Sequence, residues 1–395
     1  MPEKNSPEAL DPDITIVIPC LNEEDTLGVC LAKIEKVKRN ENFSLEVIVA
    51  DNGSKDQSIE IAKSHGVKII SVTQKGYGAA LMGGISQAKA PYILMADADD
   101  SYDFLEIPKF YRKLKEGYDL VQGCRLPKGG GFIEKNAMPF THRYFGNPLF
   151  TFLVRRWFNS PVNDVYCGLR AFKIDLYKKL KMRCQGMEFA TEMIIKSANL
   201  GAKTAELPIT LHKDGRIQHP PHLRTIRDGW KTLCFFLICA PSKLFLLPGT
   251  LMIFLGLTGS ALGYFGASWN GISLGAHTML GSSLFIISGY QAFLIHILSL
   301  DISKKLELNT LSLKSKIQDI ISRSGFWLSF CLFFAGLMMW VMVFIQWKTY
   351  SFGSLDYSKT LKLVIPGATL ISISLETLTF CVFKNWLNVE LISKK

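Results

Sequence analysis

The sequence lacks the cysteine spacing of a metal site or a disulfide framework. None of its nine cysteines belongs to a Cys-x-x-Cys pair, and several, such as Cys234, Cys239, Cys331 and Cys381, lie inside apolar runs. This usage is typical of reduced, buried thiols. The first residues, MPEKNSPEALDPD, also lack an apolar core. We therefore expect no cleaved signal peptide and a first domain that stays in the cytoplasm.

The sequence also lacks a basic patch interleaved with aromatic residues, which is the pattern that stacks nucleic-acid bases. The formal net charge is nevertheless +11. Many lysines and arginines flank apolar segments, where such residues set membrane topology and contact anionic lipid. We therefore expect a membrane as a partner and no nucleic acid.

Long hydrophobic runs are absent before about Thr225 and frequent after Trp230. Four stretches reach the ~20 residues that a membrane-spanning helix requires. They are residues 244–266, 276–300, 326–347 and 361–383. One such stretch could be a buried helix of a soluble core, but four in succession favour an integral, multi-pass membrane protein. The predicted organisation is a soluble domain over 1–222, an interface helix over 223–243 and a transmembrane domain over 244–395.

The distribution of basic residues predicts the orientation of the spans. The connection 301–325 contains five basic residues and the end of the chain contains two more, whereas the connection 267–275 contains none. These basic residues are Lys304, Lys305, Lys314, Lys316, Arg323, Lys394 and Lys395. Because basic loops stay inside, we expect the soluble domain and both termini in the cytoplasm.

The segment RTIRDGWKTLCFFLICAPSKLF joins the two halves, with basic residues and Trp230 first and apolar residues after them. This arrangement favours a helix that lies in the membrane interface. The alternative is a linker helix packed on the soluble domain.

The first half alternates strand-like and helix-like segments. The strand-like runs are residues 14–19, 45–50, 67–72, 92–96 and 118–123. Helix-like pieces separate most of them, which predicts an α/β domain with a mostly parallel sheet and helices on both faces. Ligands then bind at the carboxyl ends of the strands.

Polar residues gather after three of these strands, in the segments PCLNEE, DNGS and DADD. One carboxylate after a strand is as often a helix cap as a ligand, but the three groups together favour a site. The crowded carboxylates of DADD would repel one another, and a divalent cation such as Mg²⁺ or Mn²⁺ would relieve that repulsion while binding a diphosphate. The Gly-rich segment QKGYGAALMGG fits neither the dinucleotide nor the P-loop pattern, and it serves either phosphate contact or close helix packing.

The segments IVIPCLNEE, VADNGSKD, GYGAALMGG and DADD, followed by VYCGLRAF and MEFATEM, together resemble family-two glycosyltransferases of the GT-A fold. Within that family the chain resembles the dolichol-phosphate mannose synthase and bacterial polyprenyl-phosphate glycosyltransferase branch, over roughly 14–248. The resemblance implies one GT-A nucleotide-sugar-binding domain and a hexosyltransferase. We expect inversion at the anomeric carbon, because a single in-line attack by a lipid phosphate needs no enzyme nucleophile and none is conspicuous near DADD. Its donor would be UDP-glucose or GDP-mannose, and its acceptor would be undecaprenyl or dolichyl phosphate.

The resemblance also implies roles for individual residues. The nucleotide sugar would contact Pro19, Asn22, Glu23, Asp51, Lys75, Gly76, Asp97 and Arg125. Asp97 and Asp99 would hold the metal. Two positions depart from the family pattern, since Asn52 stands where a second Asp is usual and Ser101 stands where a Gln often provides a further ligand.

On the acceptor side, the resemblance implies that His142, Arg143, Arg216 and Arg224 surround the lipid phosphate, with Asp99, Asp164 and Arg143 as the catalytic set. Arginine suits phosphate because its planar guanidinium binds two oxygens at once. A solvated surface arginine is the alternative for each position. A phosphate nucleophile needs little deprotonation, so Asp164 is expected to orient or stabilise charge, or to have a structural role at the strand edge.

Two other functions stay open. A processive polysaccharide synthase or lipid glucosyltransferase pairs a similar domain with membrane helices, but the QxxRW motif of those enzymes is replaced here by IRDGW. A membrane scaffold or transporter with a degenerate nucleotide-binding domain is the alternative from another class. The spans are almost free of charge apart from Glu376, and DADD is intact, which disfavours that alternative. A homo-oligomeric assembly also stays open.

Overall fold

The computed structural model describes residues 11–217, 225–305 and 316–392. The chain divides into two units, Met1–Phe235 and Phe236–Lys395. This division falls inside the stretch 223–243 that the sequence analysis assigns to an interface helix.

The first unit contains nine strands in its described residues. They are β1 (Ile14–Cys20), β2 (Leu45–Asp51), β3 (Lys68–Ser71), β4 (Tyr92–Met95), β5 (Leu120–Cys124), β6 (Phe132–Ile133), β7 (Arg170–Lys173), β8 (Thr204–Pro208) and β9 (Thr210–Leu211). Seven of them form one sheet in the order β3-β2-β1-β4-β7-β5-β8, and β6 pairs with β9. Strand β7 runs antiparallel to both of its neighbours, whereas the other pairs in the sheet are parallel. The prediction of a mostly parallel sheet is confirmed.

The α-helices of the first unit follow the strands. They are α1 (Leu27–Asn40), α2 (Ser58–Ser64), α3 (Tyr77–Ile85), α4 (Ile107–Lys115), α5 (Asn147–Phe158), α6 (Ile174–Leu180) and α7 (Phe189–Asn199). Helix α5 continues directly from a π-helical turn, His142–Gly146. Single 3₁₀ turns occupy Phe104–Glu106 and Pro127–Gly129.

Strand β1 shows why the sheet lies in the middle of this unit. All seven of its residues, ITIVIPC, are buried, as expected for a parallel strand covered on both faces. Ile16 belongs to a core that includes Leu31 of α1 and Phe110 of α4. Val17, whose side chain points to the opposite face, lies against Gly84 of α3.

The parallel register brings the polar strand ends to one edge of the sheet. Cys20 at the end of β1 pairs with Asp51 at the end of β2. Strand β4 pairs with β1 up to Met95, so the DADD segment leaves the sheet at the same edge.

Helix α8 (Thr225–Cys239) crosses the division between the units, and its role at an interface stays a prediction. The second unit contains α9 (Leu247–Phe265), β10 (Ser268–Trp269), β11 (Ile272–Ser273), α10 (Ala276–Lys305), α11 (Lys316–Thr349) and α12 (Tyr357–Ile392). Four helical stretches are long and apolar enough to cross a membrane: Ser242–Phe265, Ala276–Ser303, Ser324–Thr349 and Tyr357–Leu387. The prediction of four spans is confirmed, and the chain is a membrane protein.

Glycines and hydroxyl groups hold these helices together. The Cα atoms of Gly249 in α9 and Gly289 in α10 are so close to the facing helix that an added Cβ would lie 2.9 Å and 2.7 Å from the other glycine's carbonyl oxygen. Helices α10 and α12 are joined by hydrogen bonds between Tyr290 and Thr377 and between Ser283 and Thr369, both 2.7 Å long. Small residues and interhelical hydrogen bonds are the usual means of packing helices in lipid.

Candidate active site

The ends of β1 and β2 are joined by a network of polar turns. The Asp51 carboxylate accepts hydrogen bonds from the backbone N–H groups of Gly53 and Ser54, both at 3.0 Å. Ser54 in turn accepts from the backbone N–H of Asn22 at 3.0 Å, and the Asn22 side chain accepts from Lys55 N–H at 2.8 Å. Asn22 has a left-handed backbone with φ of 56°, which asparagine tolerates better than most residues. The predicted nucleotide residues of these two turns therefore lie together, next to the buried Pro19.

Glu23 lies beside this network and is paired with a residue from the far end of the domain. Its two carboxylate oxygens accept from Arg216, at 2.7 Å from Nε and 2.6 Å from Nη2. The same guanidinium is 2.7 Å from Asp214 and 3.5 Å from Asp99. Burial by itself lowers the pKa of Arg216, but the hydrogen bond to Glu23 and the charges of Asp99 and Glu23 raise it above its usual value. Arg216 thus contacts the acidic residues, and its assignment to the acceptor phosphate stays a prediction. Arg224 lies outside the described residues.

The Gly-rich turn before α3 contains Lys75 and Gly76 and lies against Asn52. Gly76 N–H donates to the Asn52 side-chain oxygen at 2.8 Å, and Lys75 Nζ donates to the Asn52 carbonyl at 2.6 Å. Gly76 has φ of 133°, which L side chains rarely adopt. The structure therefore brings the predicted Gly-rich turn to the end of β2.

Asp97, the first carboxylate of DADD, is held from two sides. Its Oδ1 accepts from the Tyr77 hydroxyl at 2.8 Å. Its Oδ2 lies above Gly168, where an added Cβ would be only 2.5 Å away. Burial and the nearby charge of Asp99 raise the pKa of Asp97 to about 7.

Asp99 is oriented by its neighbour in the chain. Its Oδ1 accepts from both the backbone N–H and the hydroxyl of Ser101, at 3.0 Å and 2.6 Å. Asp100 turns to Lys33 instead, at 2.7 Å. Within the described ranges, no group of three His, Cys, Asp or Glu residues is placed to hold a metal. Two carboxylates completed by substrate phosphates suit Mg²⁺ or Mn²⁺, so the donor set fits such an ion.

Asp164 is fully buried and binds Arg125 with both oxygens. Arg125 Nε lies 2.7 Å from Oδ2, Nη2 lies 2.9 Å from Oδ1, and the Arg125 backbone N–H also donates to Oδ2 at 3.0 Å. Asp164 therefore holds Arg125 in place, and its expected orienting or electrostatic role stays a prediction. Neither the catalytic role of Asp164 nor the nucleotide role of Arg125 is tested by this geometry.

Two buried polar residues that support the loop 164–168 were not identified in the sequence analysis. Arg170, with no exposed surface, donates to the carbonyl groups of Ala190 and Cys167 at 2.7 Å and 2.8 Å. Gln122 donates to the carbonyl groups of Asp164 and Cys167 at 3.1 Å and 3.0 Å. An arginine and a glutamine next to apolar strand residues were the available signal, because buried polar side chains need partners.

His142 and Arg143 lie in the π-helical turn before α5. Burial and the charge of Arg125 both lower the pKa of His142 from its usual value. Arg143 makes no ion pair within the described part of the chain, and its guanidinium lies 5.5 Å from the centre of the Tyr144 ring.

This segment also exposes an unusual number of large apolar side chains. Phe140 is 68% exposed, Phe145 65% and Phe152 61%, and Tyr144 and Leu149 between them are exposed as well. Exposed apolar patches of this kind mark surfaces that bind proteins or membranes. We call Phe140, Tyr144, Phe145, Leu149 and Phe152 the aromatic face.

The chain combines the fold of a GT-A glycosyltransferase with a membrane-spanning carboxyl-terminal part. Residues 15–181 match the family described as glycosyl transferase family 2, and residues 315–388 match the family 2 C-terminal transmembrane region. The chain belongs to glycosyl transferase family 2, as the resemblance predicted.

Curated relatives agree with this assignment. The chain is 34% identical over 285 residues to the low-salt glycan biosynthesis hexosyltransferase Agl6 of Haloferax volcanii, covering 72% of this chain and 67% of the relative. It is 31% identical to a dolichyl-phosphate hexose transferase of the same organism, covering 50% of this chain and 82% of the relative. It is 27% identical to an undecaprenyl-phosphate 4-deoxy-4-formamido-L-arabinose transferase of Pseudomonas syringae, covering 70% and 82%.

Among solved structures, the chain is similar to glucosyl-3-phosphoglycerate synthase from Mycobacterium tuberculosis in complex with Mn²⁺, UDP and glucosyl-3-phosphoglycerate. The identity is 20% and the TM-score 0.45, over 57% of this chain and 79% of the other. The family assignment rests on the sequence matches and not on this likeness.

Proposed function

We propose that this glycosyltransferase moves glucose or mannose from UDP-glucose or GDP-mannose to a polyprenyl phosphate, either undecaprenyl or dolichyl. The reaction takes place at the cytoplasmic face of the membrane. The observation that supports the proposal is that Arg125, which Asp164 holds with both carboxylate oxygens, lies within electrostatic range of both Asp97 and His142. Its charge acts on both Asp97 and His142. We infer that the donor carboxylates and the segment with His142 and Arg143 act on the same substrate pair.

The acceptor half of the proposal rests on the aromatic face and on Arg143. A polyprenyl phosphate keeps its chain in the bilayer and presents only its headgroup to a cytoplasmic site. The exposed rings suit the membrane interface, where aromatic side chains are enriched, and Arg143 supplies a cation next to them. The names of two relatives, a dolichyl-phosphate and an undecaprenyl-phosphate transferase, support the same acceptor class.

The donor half rests on the turns at the carboxyl edge of the sheet. Asp97 and Asp99 would hold a divalent cation, Mg²⁺ or Mn²⁺, together with oxygens of the diphosphate. When bound, such an ion neutralises charge that develops on the leaving diphosphate. Tyr77 and Ser101 keep the two carboxylates in fixed orientations, as hydrogen bonds to metal ligands generally do.

The acceptor chemistry explains why the site needs no strong base. A phosphate monoester is already anionic at neutral pH, so its oxygen can attack the anomeric carbon directly. The attack displaces the nucleoside diphosphate in one step, so the configuration inverts and an α-linked donor yields a β-linked lipid phosphate. Asp164 then acts by holding Arg125 rather than by removing a proton.

The test is to incubate membranes containing the chain with several labelled nucleotide sugars and to extract the lipids with butanol. We expect one sugar to label the lipid, with β configuration by NMR. We also expect dependence on Mg²⁺ or Mn²⁺ and near-complete loss with Asp99→Ala. The control Asp175→Ala removes an exposed carboxylate from α6 and should have little effect.

Full activity in excess chelator would contradict the metal, and an α-linked product would contradict the single displacement. Hydrolysis of the donor without lipid labelling would favour another acceptor.

A further inference from the structure

The side-chain amide of Asn52 makes three hydrogen bonds to the backbone of one short segment, residues 72–76. Its Nδ2 donates to the carbonyl oxygens of Val72 and Gln74, at 3.0 Å and 2.7 Å. Its Oδ1 accepts from the backbone N–H of Gly76 at 2.8 Å. Asn52 is only 5% exposed, so water cannot easily replace these bonds. Only a carboxamide offers two donors and an acceptor from one planar group.

Gln185 contacts the other side of the turn that Asn52 holds, residues 72–76. The Gln185 carbonyl accepts from the backbone N–H of Ala79 at 3.0 Å, and its side chain accepts from Gln74 at 3.0 Å. A Cβ on Gly76 would lie 2.2 Å from the same carbonyl, so the turn fits closely. Gln185 is itself held in place through the preceding residue, because the Glu192 carboxylate accepts from the backbone N–H of Cys184 at 2.8 Å.

The turn between Asn52 and Gln185 carries two residues that contact the donor site, Lys75 at the end of β2 and Tyr77 at the DADD segment. Lys75 Nζ donates to the Asn52 carbonyl, and Gly53 leaves room for it, since an added Cβ there would lie 2.4 Å from Nζ. The next residue but one, Tyr77, reaches Asp97. The position of the turn therefore determines where the Lys75 ammonium group lies at the end of β2. It also determines how Tyr77 orients the Asp97 carboxylate.

We propose that Asn52 is the positioning residue of the donor site and that its carboxamide fixes the Gln74–Gly76 turn against the end of β2. The inference rests on the proposed function. An aspartate at this position would have the same shape but no donors when ionised. It would place negative charge 3.0 Å and 2.7 Å from two carbonyl oxygens, which disfavours the closed position of the turn.

The experiment measures binding of UDP-glucose and GDP-mannose to the full chain in nanodiscs with Mn²⁺, by calorimetry. Asn52→Asp should weaken binding of the preferred donor by roughly tenfold to a hundredfold at pH 7.5, as expected when buried hydrogen-bonding groups lose their partner. Relative to the unaltered chain, part of the loss should disappear near pH 5.5, because burial raises the pKa of the new carboxyl and its protonated form can donate one bond. The apparent KM for polyprenyl phosphate should not change.

Two further variants make the result decisive. Asn42→Asp makes the same chemical change at an exposed position and should leave donor binding unaltered. Asn52→Ala removes the bonds without adding charge, so its weaker binding should not recover at low pH. Equal donor binding by Asn52→Asp and the unaltered chain at both pH values would overturn the inference. So would loss of folding by both Asn52 variants with Asn42→Asp folded, since Asn52 would then stabilise the whole unit. If the unaltered chain bound no nucleotide sugar, the proposed function itself would fail and the inference with it.

Discussion

At the scale of single residues, the site is built from side chains that hold other side chains. Tyr77 orients Asp97, Ser101 orients Asp99, and Asp164 orients Arg125. Such supporting bonds matter because a metal or a phosphate is bound well only when its ligands are already in place.

Tyr77→Phe tests this support, since it removes one hydroxyl and keeps the ring. We expect Mn²⁺ affinity, measured by calorimetry with and without UDP or GDP, to fall by roughly ten- to a hundredfold, as is usual when a ligand loses its hydrogen-bond partner. Tyr92→Phe removes a hydroxyl at the opposite end of β4 and serves as the control. Unchanged Mn²⁺ affinity in Tyr77→Phe would mean that Asp97 does not need this bond.

Arg143→Ala tests the acceptor side. One charge-assisted contact contributes about 1.5 to 3 kcal/mol, so lipid-dependent turnover should fall by roughly ten- to a hundredfold. Lysine should restore only part of the activity, because it keeps the charge but not the planar fork. Donor affinity without lipid should stay nearly constant. Loss of donor binding with intact affinity for polyprenyl phosphate would place Arg143 on the donor side instead.

At the scale of elements, the packing of α9 on α10 depends on glycine. Both Gly249 and Gly289 bring the two backbones together, and Gly289 also lies against Ile253, 2.9 Å from an added Cβ. A larger side chain at this position must push the two helices apart, because the atoms it would meet belong partly to the rigid backbone of α9.

Gly289→Leu should therefore lower the thermal stability of the protein in detergent, at a cost of about 1 to 3 kcal/mol for overpacking. Gly281→Leu changes the same helix at an exposed position with nothing within 4 Å of an added Cβ, and it should have little effect. Equal melting temperatures for the two variants would show that the close approach of α9 and α10 is not needed for stability.

At the scale of the whole molecule, the unequal distribution of basic residues predicts that the connection 301–325 lies in the cytoplasm with the catalytic domain. In a version without cysteines, Ser312→Cys should be protected in intact cells from a membrane-impermeant thiol reagent. Asn270→Cys and Ser354→Cys, in the other two connections, should react. Permeabilised cells should label all three and provide the control. Labelling of Ser312→Cys from outside would reverse the proposed topology.

Much of this architecture was determined locally in the sequence. The buried strand β1 and the alternation of strands and helices specify a parallel sheet, and four long apolar runs specify membrane spans, because each depends on the hydrophobicity of neighbouring residues. Parallel pairing then places the residues after β1, β2 and β4 at one edge, which is why these polar segments could be predicted to lie together.

Tertiary structure decided what the chain's local pattern does not encode. Strand β7 lies antiparallel between β4 and β5, although it comes well after both in sequence. Arg216 pairs with Glu23 across 193 positions, and Gln185 meets Gln74 across 111. Short-range periodicity carries no information about such partners. A buried amide or guanidinium must find some partner, but only the folded backbone determines which one it reaches.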